Sequence, residues 1–147
     1  MYRGGRPKRI ARVLNGVWRR AASAGLAPRR LSTLEVRGRR SGRLTSFPVV
    51  VADDENERYL VAMLGERVNW VANVRAGGGQ ALLHHGRRES VQLEEIDPAG
   101  RAPILRRYLQ LAPGARPHIP LDPRSPLADF ERIASQYPVF RVAARVP

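Results

Sequence analysis

Two runs that alternate apolar and polar residues, "LSTLEVRG" at 31–38 and "RLTSFPVVVAD" at 43–53, flank the turn "GRRSG" at 38–42, and no other feature constrains the fold as tightly. A period of two turns one face of each run toward a core and the other away from it. Glycines at both ends of the connection supply positions that tolerate positive φ, so a β-hairpin is expected. The pattern continues with "RYLVAML" (58–64) as a buried strand, "QALLHHG" and "ESVQLEEID" as a second hairpin around "GRR", and "VFRVAARV" as a closing strand. Between them "NWVANVRA" reads as a short helix stopped by Gly77, Gly78 and Gly79. A helical segment from about 98 to 111, a proline-studded loop through 126 and a helix to about 136 complete the pattern. Six antiparallel strands with inserted helices predict an α+β, mainly β chain built on a small barrel.

Residues 1–28 read differently. Ile10, Val13, Leu14, Val17, Trp18 and Ala21 form an amphipathic helical stripe, with Pro7 near its start and Gly25 and Pro28 after it. The expectation is one domain over residues 1–147, with a basic helix in 1–28 and the barrel in 31–147.

Charge is distributed unevenly. Residues 1–51 hold 13 basic residues against one acid, Glu35, whereas 52–147 hold 13 basic and 12 acidic residues, so nearly all of the +13 net charge lies in the first third. A polyanionic partner at one face follows: nucleic acid, anionic lipid or a multiply charged small molecule. Aromatics make up 6% of the chain and none interleaves with "RGRRSGR", which argues against nucleic acid because stacking platforms are missing. The basic, Trp18-bearing helix suits peripheral association with an anionic membrane, in competition with packing on the barrel. No run reaches the roughly 18 to 20 apolar residues of a membrane span, and no secretory leader is visible, so a cytoplasmic protein, peripheral at most to the inner membrane face, is expected. Arginine outnumbers lysine 25 to 1, which suits a GC-rich bacterial source.

Cysteine is absent, which excludes thiolate catalysis and sulfur-ligated metals. His84 and His85 are neighbours on a strand and point to opposite faces, so no metal site is expected. The chain has no GxSxG and no Walker motif, and Gly77–Gly79 does not form GxGxxG. The acids of "DDENE" and "LEEID" fall in turn or strand settings. No catalytic side chain is identified, and demanding chemistry would belong to a bound cofactor. The remaining candidate is the turn, where backbone amides, the Ser41 hydroxyl and the guanidinium groups of Arg39, Arg40 and Arg43 can form a nest for phosphate or carboxylate. An ordinary exposed hairpin is the competing reading.

"TLEVRGRRSGRLTSFPVVV" followed by "RYLVAMLGERVNWVANVRA" resembles the deazaflavin (coenzyme F-420)-dependent nitroreductase and quinone reductase family. That family shows an apolar strand, a GR[KR]SG turn, a strand with a proline and a W-x-x-N-[VL]-[RK]-A helix. The order matches from Leu31 to Ile96, and "YPVFRV" resembles the family's final strand. The resemblance implies a six-stranded antiparallel split β-barrel, of the FMN-binding kind, that binds coenzyme F-420, a deazaflavin with a phosphate and a polyglutamate tail. By the same resemblance Arg39, Arg40, Ser41 and Arg43 would contact phosphate and tail. Pro48, Val50, Ala62, Met63 and Leu64 would line the ring, and Asn69, Trp70, Asn73 and Arg75 on the short helix would close the site. Trp70 as a core anchor is the alternative for that residue.

The implied reaction is hydride transfer from the reduced deazaflavin to a small-molecule quinone, enone or nitro-type acceptor. Tyr108 and Tyr137 are placed either in the acceptor pocket or in the core. The segment "QLAPGARPHIPLDPRSPLADFERIA" differs from the tyrosine-rich acceptor region of the nitroimidazole-activating members. Three alternatives stay open: an FMN- or haem-binding protein on the same barrel, a non-catalytic cofactor carrier, and a basic membrane-surface or nucleic-acid binder. Monomer and homodimer are both compatible with the sequence.

Overall fold

The computed structural model describes residues 31–112, 115 and 117–145; the expected N-terminal helix lies outside them. Seven strands form one sheet: β1 (Leu31–Arg37), β2 (Leu44–Val50), β3 (Ala52–Asp54), β4 (Glu57–Val61), β5 (Gln80–His85), β6 (Arg87–Glu95) and β7 (Val139–Ala144). Helix α1 (Asn69–Ala76) joins β4 to β5, while α2 (Ala102–Leu111) and α3 (Leu127–Ile133) join β6 to β7. Short 3-10 turns at Pro98–Gly100 and Ala134–Gln136 flank these two helices, so the expected helical segments are present but interrupted.

The strand order is β2-β1-β5-β6-β7-β4-β3, with every pairing antiparallel. β2 and β3 occupy opposite edges, yet only Val51 separates them in sequence. Consecutive Cα atoms are about 3.8 Å apart, so the sheet has to curl until its edges adjoin. This is the mainly β, split-barrel architecture, with seven strands in place of six. The extra strand arises because "RLTSFPVVVAD" does not run through: it changes edge at Val51, and Ala52 pairs with Tyr59 of β4.

Alternation sorts the apolar side chains onto two faces. Leu34, Val36, Leu60, Leu83, Val91, Leu93, Phe140 and Val142 fill the barrel interior. Ala52, Val61 and Val139 face outward and are covered by Leu105, Tyr108 and Leu109 of α2 and Phe130 of α3. On α2 the buried residues Ala102, Leu105, Tyr108 and Leu109 recur at helical spacing, which gives it one apolar face for this second core. The second hairpin turns on Gly86 alone, at φ +83°, tighter than the three-residue "GRR" connection expected. No helix among the described residues is long and apolar enough to cross a membrane.

Candidate functional site

The arginine turn is braced from within. The Gly38 N–H donates to the Arg43 carbonyl at 2.8 Å, and the Gly42 N–H donates to the Gly38 carbonyl at 3.0 Å. Gly42 adopts φ +73°, a conformation that a side chain would strain. Arg37 Nη1 donates to the Gly42 carbonyl at 2.5 Å, and the Arg43 N–H donates to Ser41 Oγ at 3.1 Å. A second element then holds the turn from outside: Asn73 of α1, only 8% exposed, accepts from the Arg39 N–H at 3.0 Å and from Arg39 Nη1 at 2.8 Å.

What this bracing leaves over defines the chemistry. The amides of Arg40 and Ser41 and the guanidinium groups of Arg40 and Arg43 have no protein partner among the described residues, and all three residues are exposed. Ser41 Oγ is an acceptor within the turn, so its O–H remains available to donate. The result is a cationic cradle of donors, with no carboxylate paired to it among the described residues. Such a cradle fits oxyanions bidentately, and its charge does not titrate away near neutral pH.

The same barrel end collects further residues. β4 ends at Val61, and the segment 62–68 returns over this end into α1; the Ala62 N–H donates to the Pro138 carbonyl at 2.9 Å. Ala62 turns into the barrel interior, Met63 packs toward the helix-side core, and Leu64 is 55% exposed. Asn69 opens α1 and is half-buried. Pro48 and Val50 lie farther along β2, with Val50 against the helix-side core. The structure thus brings Arg39, Arg40, Ser41, Arg43, Met63, Leu64, Asn69 and Asn73 to one end, and it sets Val50 apart from the turn.

Three expected residues take structural positions. Trp70, half-buried, sits between Phe47 and Phe140, with ring centroids 5.8 and 5.6 Å away. Tyr108 is buried in the helix-side core, where desolvation pushes its phenol up to about 12. Tyr137 packs in the same core and donates its hydroxyl to the His118 carbonyl at 2.8 Å.

Arg75 is part of a ladder of alternating charge. Its Nη2 lies 3.0 Å from Glu66 and 2.6 Å from Glu95, and Glu95 in turn accepts from Arg101 Nη2 at 3.1 Å. Hydrogen bonding to Arg75 holds the Glu95 carboxyl below the usual carboxylate range. Arg101 is 4% exposed and also donates to the carbonyls of Ile96 and Ala134 at 2.8 and 3.0 Å. The ladder ties segment 62–68, α1, the end of β6 and the approach to β7 together. Glu66, Glu95 and Arg101 escaped the sequence reading because their partners are distant in the chain, and "PAGRAP" looks like solvated loop. No cluster of potential metal ligands occurs among the described residues.

The family model for F420H(2)-dependent quinone reductase matches residues 12–114, which include the arginine turn, α1 and the ladder's Glu66, Glu95 and Arg101. The chain belongs to this family. A search of curated proteins finds no match. Solved structures share the fold of this quinone reductase family member at low identity. A protein of unknown function from Agrobacterium tumefaciens is 13% identical with a TM-score of 0.61, over 86% of this chain and 53% of its own. A FAD-binding protein from Mesorhizobium loti is 14% identical with a TM-score of 0.52, over 86% of this chain and 88% of its own. A protein described as a domain-swapped dimer is 18% identical with a TM-score of 0.51, over 90% and 92% of the two chains.

Proposed function

We propose that the protein is a coenzyme F-420-dependent oxidoreductase that reduces a small quinone, enone or related electrophilic acceptor. The observation that carries the reading is the double hydrogen bond from Arg39 to Asn73, which holds a turn with two guanidinium groups and two amides that have no partner among the described residues. That donor set fits a phosphate bearing carboxylates, and family membership names the coenzyme class.

When bound, the reduced deazaflavin supplies a hydride; the residues of this chain bind, orient and shield. Arg40, Arg43 and the Arg40 and Ser41 amides hold the phosphate and tail. β2 is an edge strand, so backbone groups along it are available beside the apolar side chains of Pro48, Met63 and Leu64 to seat a flat ring. Asn73 positions the turn, and the ladder through Arg75 positions segment 62–68. Trp70, half-buried against Phe47 and Phe140, covers the interior at this end. The acceptor is held against the same surface, and proximity supplies most of what the protein contributes to the rate.

A homodimer is supported by the likeness to the domain-swapped dimer, and light scattering checks it. A cytoplasmic location with peripheral contact to anionic lipid through residues 1–28 is supported by the basic first third of the chain, and vesicle sedimentation checks it.

The deciding experiment titrates the protein with coenzyme F-420 and, in parallel, with FMN at low and high salt, followed by a turnover assay with a soluble quinone. Selective deazaflavin binding, and oxidation of the reduced coenzyme by the quinone, support the assignment. Preference for FMN, or binding without turnover, overturns it in favour of a flavin protein or a carrier.

A further inference from the structure

The barrel has a second polar end. Ser32 lies five residues before Arg37 on β1, roughly 17 Å away at strand spacing, beside a cavity of about 430 Å³. Leu83 and Val51 supply its apolar wall, and Ser32, His85, Arg87 and the Arg58–Glu89 pair supply its polar groups.

The Ser32 side chain is the informative one. Ser32 is 3% exposed, lines this cavity, and its hydroxyl has no hydrogen-bond partner among the described residues. Its oxygen is not among the fully enclosed, unsatisfied side-chain atoms, so the hydroxyl opens onto the cavity, where it can donate to a ligand's polar group. The other groups are oriented. His85 Nδ1 lies 2.6 Å from the Leu31 carbonyl; because a carbonyl only accepts, Nδ1 carries the proton and Nε2 is left as the ring's second polar atom. Arg58 is forked onto Glu89 at 2.9 and 2.8 Å, a neutral pair in the wall. Arg88 is paired with Glu35 at 3.1 Å. Arg87 alone of these arginines makes no direct ion pair among the described residues, although it stands close enough to Glu89 to help hold that carboxyl below the usual carboxylate range.

We infer that this cavity is a binding site for a small organic monocarboxylate, separate from the arginine turn. The carboxylate is held by the Arg87 guanidinium and the Ser32 hydroxyl, and a compact apolar body rests on Leu83 and Val51. Among the described residues one cavity arginine lacks a direct ion pair, against two at the turn, so the site suits a single negative charge over a polyanion. The volume lies at the lower end of the range for small-molecule sites and accommodates a ligand of about benzoate size.

Benzoate is the probe, titrated at millimolar concentrations into labelled full-length protein, with inorganic phosphate as the control anion. Saturable shifts of the Ser32, Leu83 and His85 resonances are expected. Arg87→Gln and Ser32→Val should each weaken benzoate roughly tenfold, the loss of one charge-assisted or buried hydrogen bond, while coenzyme F-420 affinity stays unchanged. Arg87 is exposed, so Arg87→Gln keeps the fold even if Ser32→Val does not. Absence of saturable shifts, equal affinity in Arg87→Gln, or shifts centred on Arg39–Arg43 would overturn the site. Unchanged coenzyme binding alongside any of these leaves the proposed function standing.

Discussion

The Asn73 side-chain oxygen accepts hydrogen bonds from both the backbone and the guanidinium of Arg39, 34 residues away, at 3.0 and 2.8 Å. One buried amide thereby connects the hairpin that presents the charge to the helix that closes the barrel end. Alanine at position 73 removes both bonds and leaves the Arg39 N–H without its partner. The expected cost is about 1–2 kcal/mol in urea unfolding, with roughly tenfold weaker coenzyme F-420 binding by fluorescence titration because the turn is no longer held.

Arg40→Ala with Arg43→Ala separates binding from stability. Neither guanidinium has a partner among the described residues, so unfolding free energy should stay within about 0.5 kcal/mol of the parent. Coenzyme affinity should fall by roughly a hundredfold, and the remaining binding should depend less on salt. Parallel titrations at two ionic strengths read both effects.

Arg101→Met tests the buried end of the ladder. The substitution leaves the Ile96 carbonyl without its Arg101 donor, removes one of the two donors to the Ala134 carbonyl and deprives Glu95 of one of its cations. A loss of about 3 kcal/mol is expected, and a drop in Tm of about 10 °C by calorimetry.

The ladder also predicts an acid limb. Arg75 and Arg58 depress the folded-state pKa values of Glu95 and Glu89. Their contribution to stability is therefore complete above the unfolded carboxylate range, about pH 4 to 5, and is lost as pH falls through the lower folded values. Urea midpoints measured from pH 7 to pH 3 should decline on the acid side, and Glu95→Gln should make that decline shallower.

Tyr108→Phe is expected to leave quinone turnover within about twofold, since its ring is in the helix-side core. Tyr137→Phe should cost about 1 kcal/mol through its lost bond to the His118 carbonyl. A large fall in kcat with Tyr108→Phe would return that phenol to the acceptor pocket.

Local patterns carried much of the fold in advance. Helix α1 spans Asn69–Ala76, the residues its apolar spacing and the following glycines mark out, and β1 ends at Arg37, just before the glycine where the alternation stops. The misreadings fall where the chain leaves one element for another without a turn residue. Val51 is apolar in an apolar run, so nothing local announces that β2 ends and β3 begins there; only closure of the sheet puts the two at opposite edges. Within the site, the type and clustering of Arg39, Arg40 and Arg43 were visible, while their separation into one tethered and two unpaired cations was not.

Arg75 shows the limit most plainly. Its motif position placed it among the helix residues that would close the site, and β6 brings Glu95 alongside it, so that two carboxylates hold its guanidinium. The sequence alone determined where backbone periodicity changes, where glycine permits reversal and where positive charge accumulates, because these depend on neighbours along the chain. Tertiary structure decided which charges are paired, which tyrosines are buried and which hydroxyl is left unpartnered. Those outcomes depend on residues brought together from tens of positions apart, and burial and hydrogen bonding are settled only once the barrel has closed.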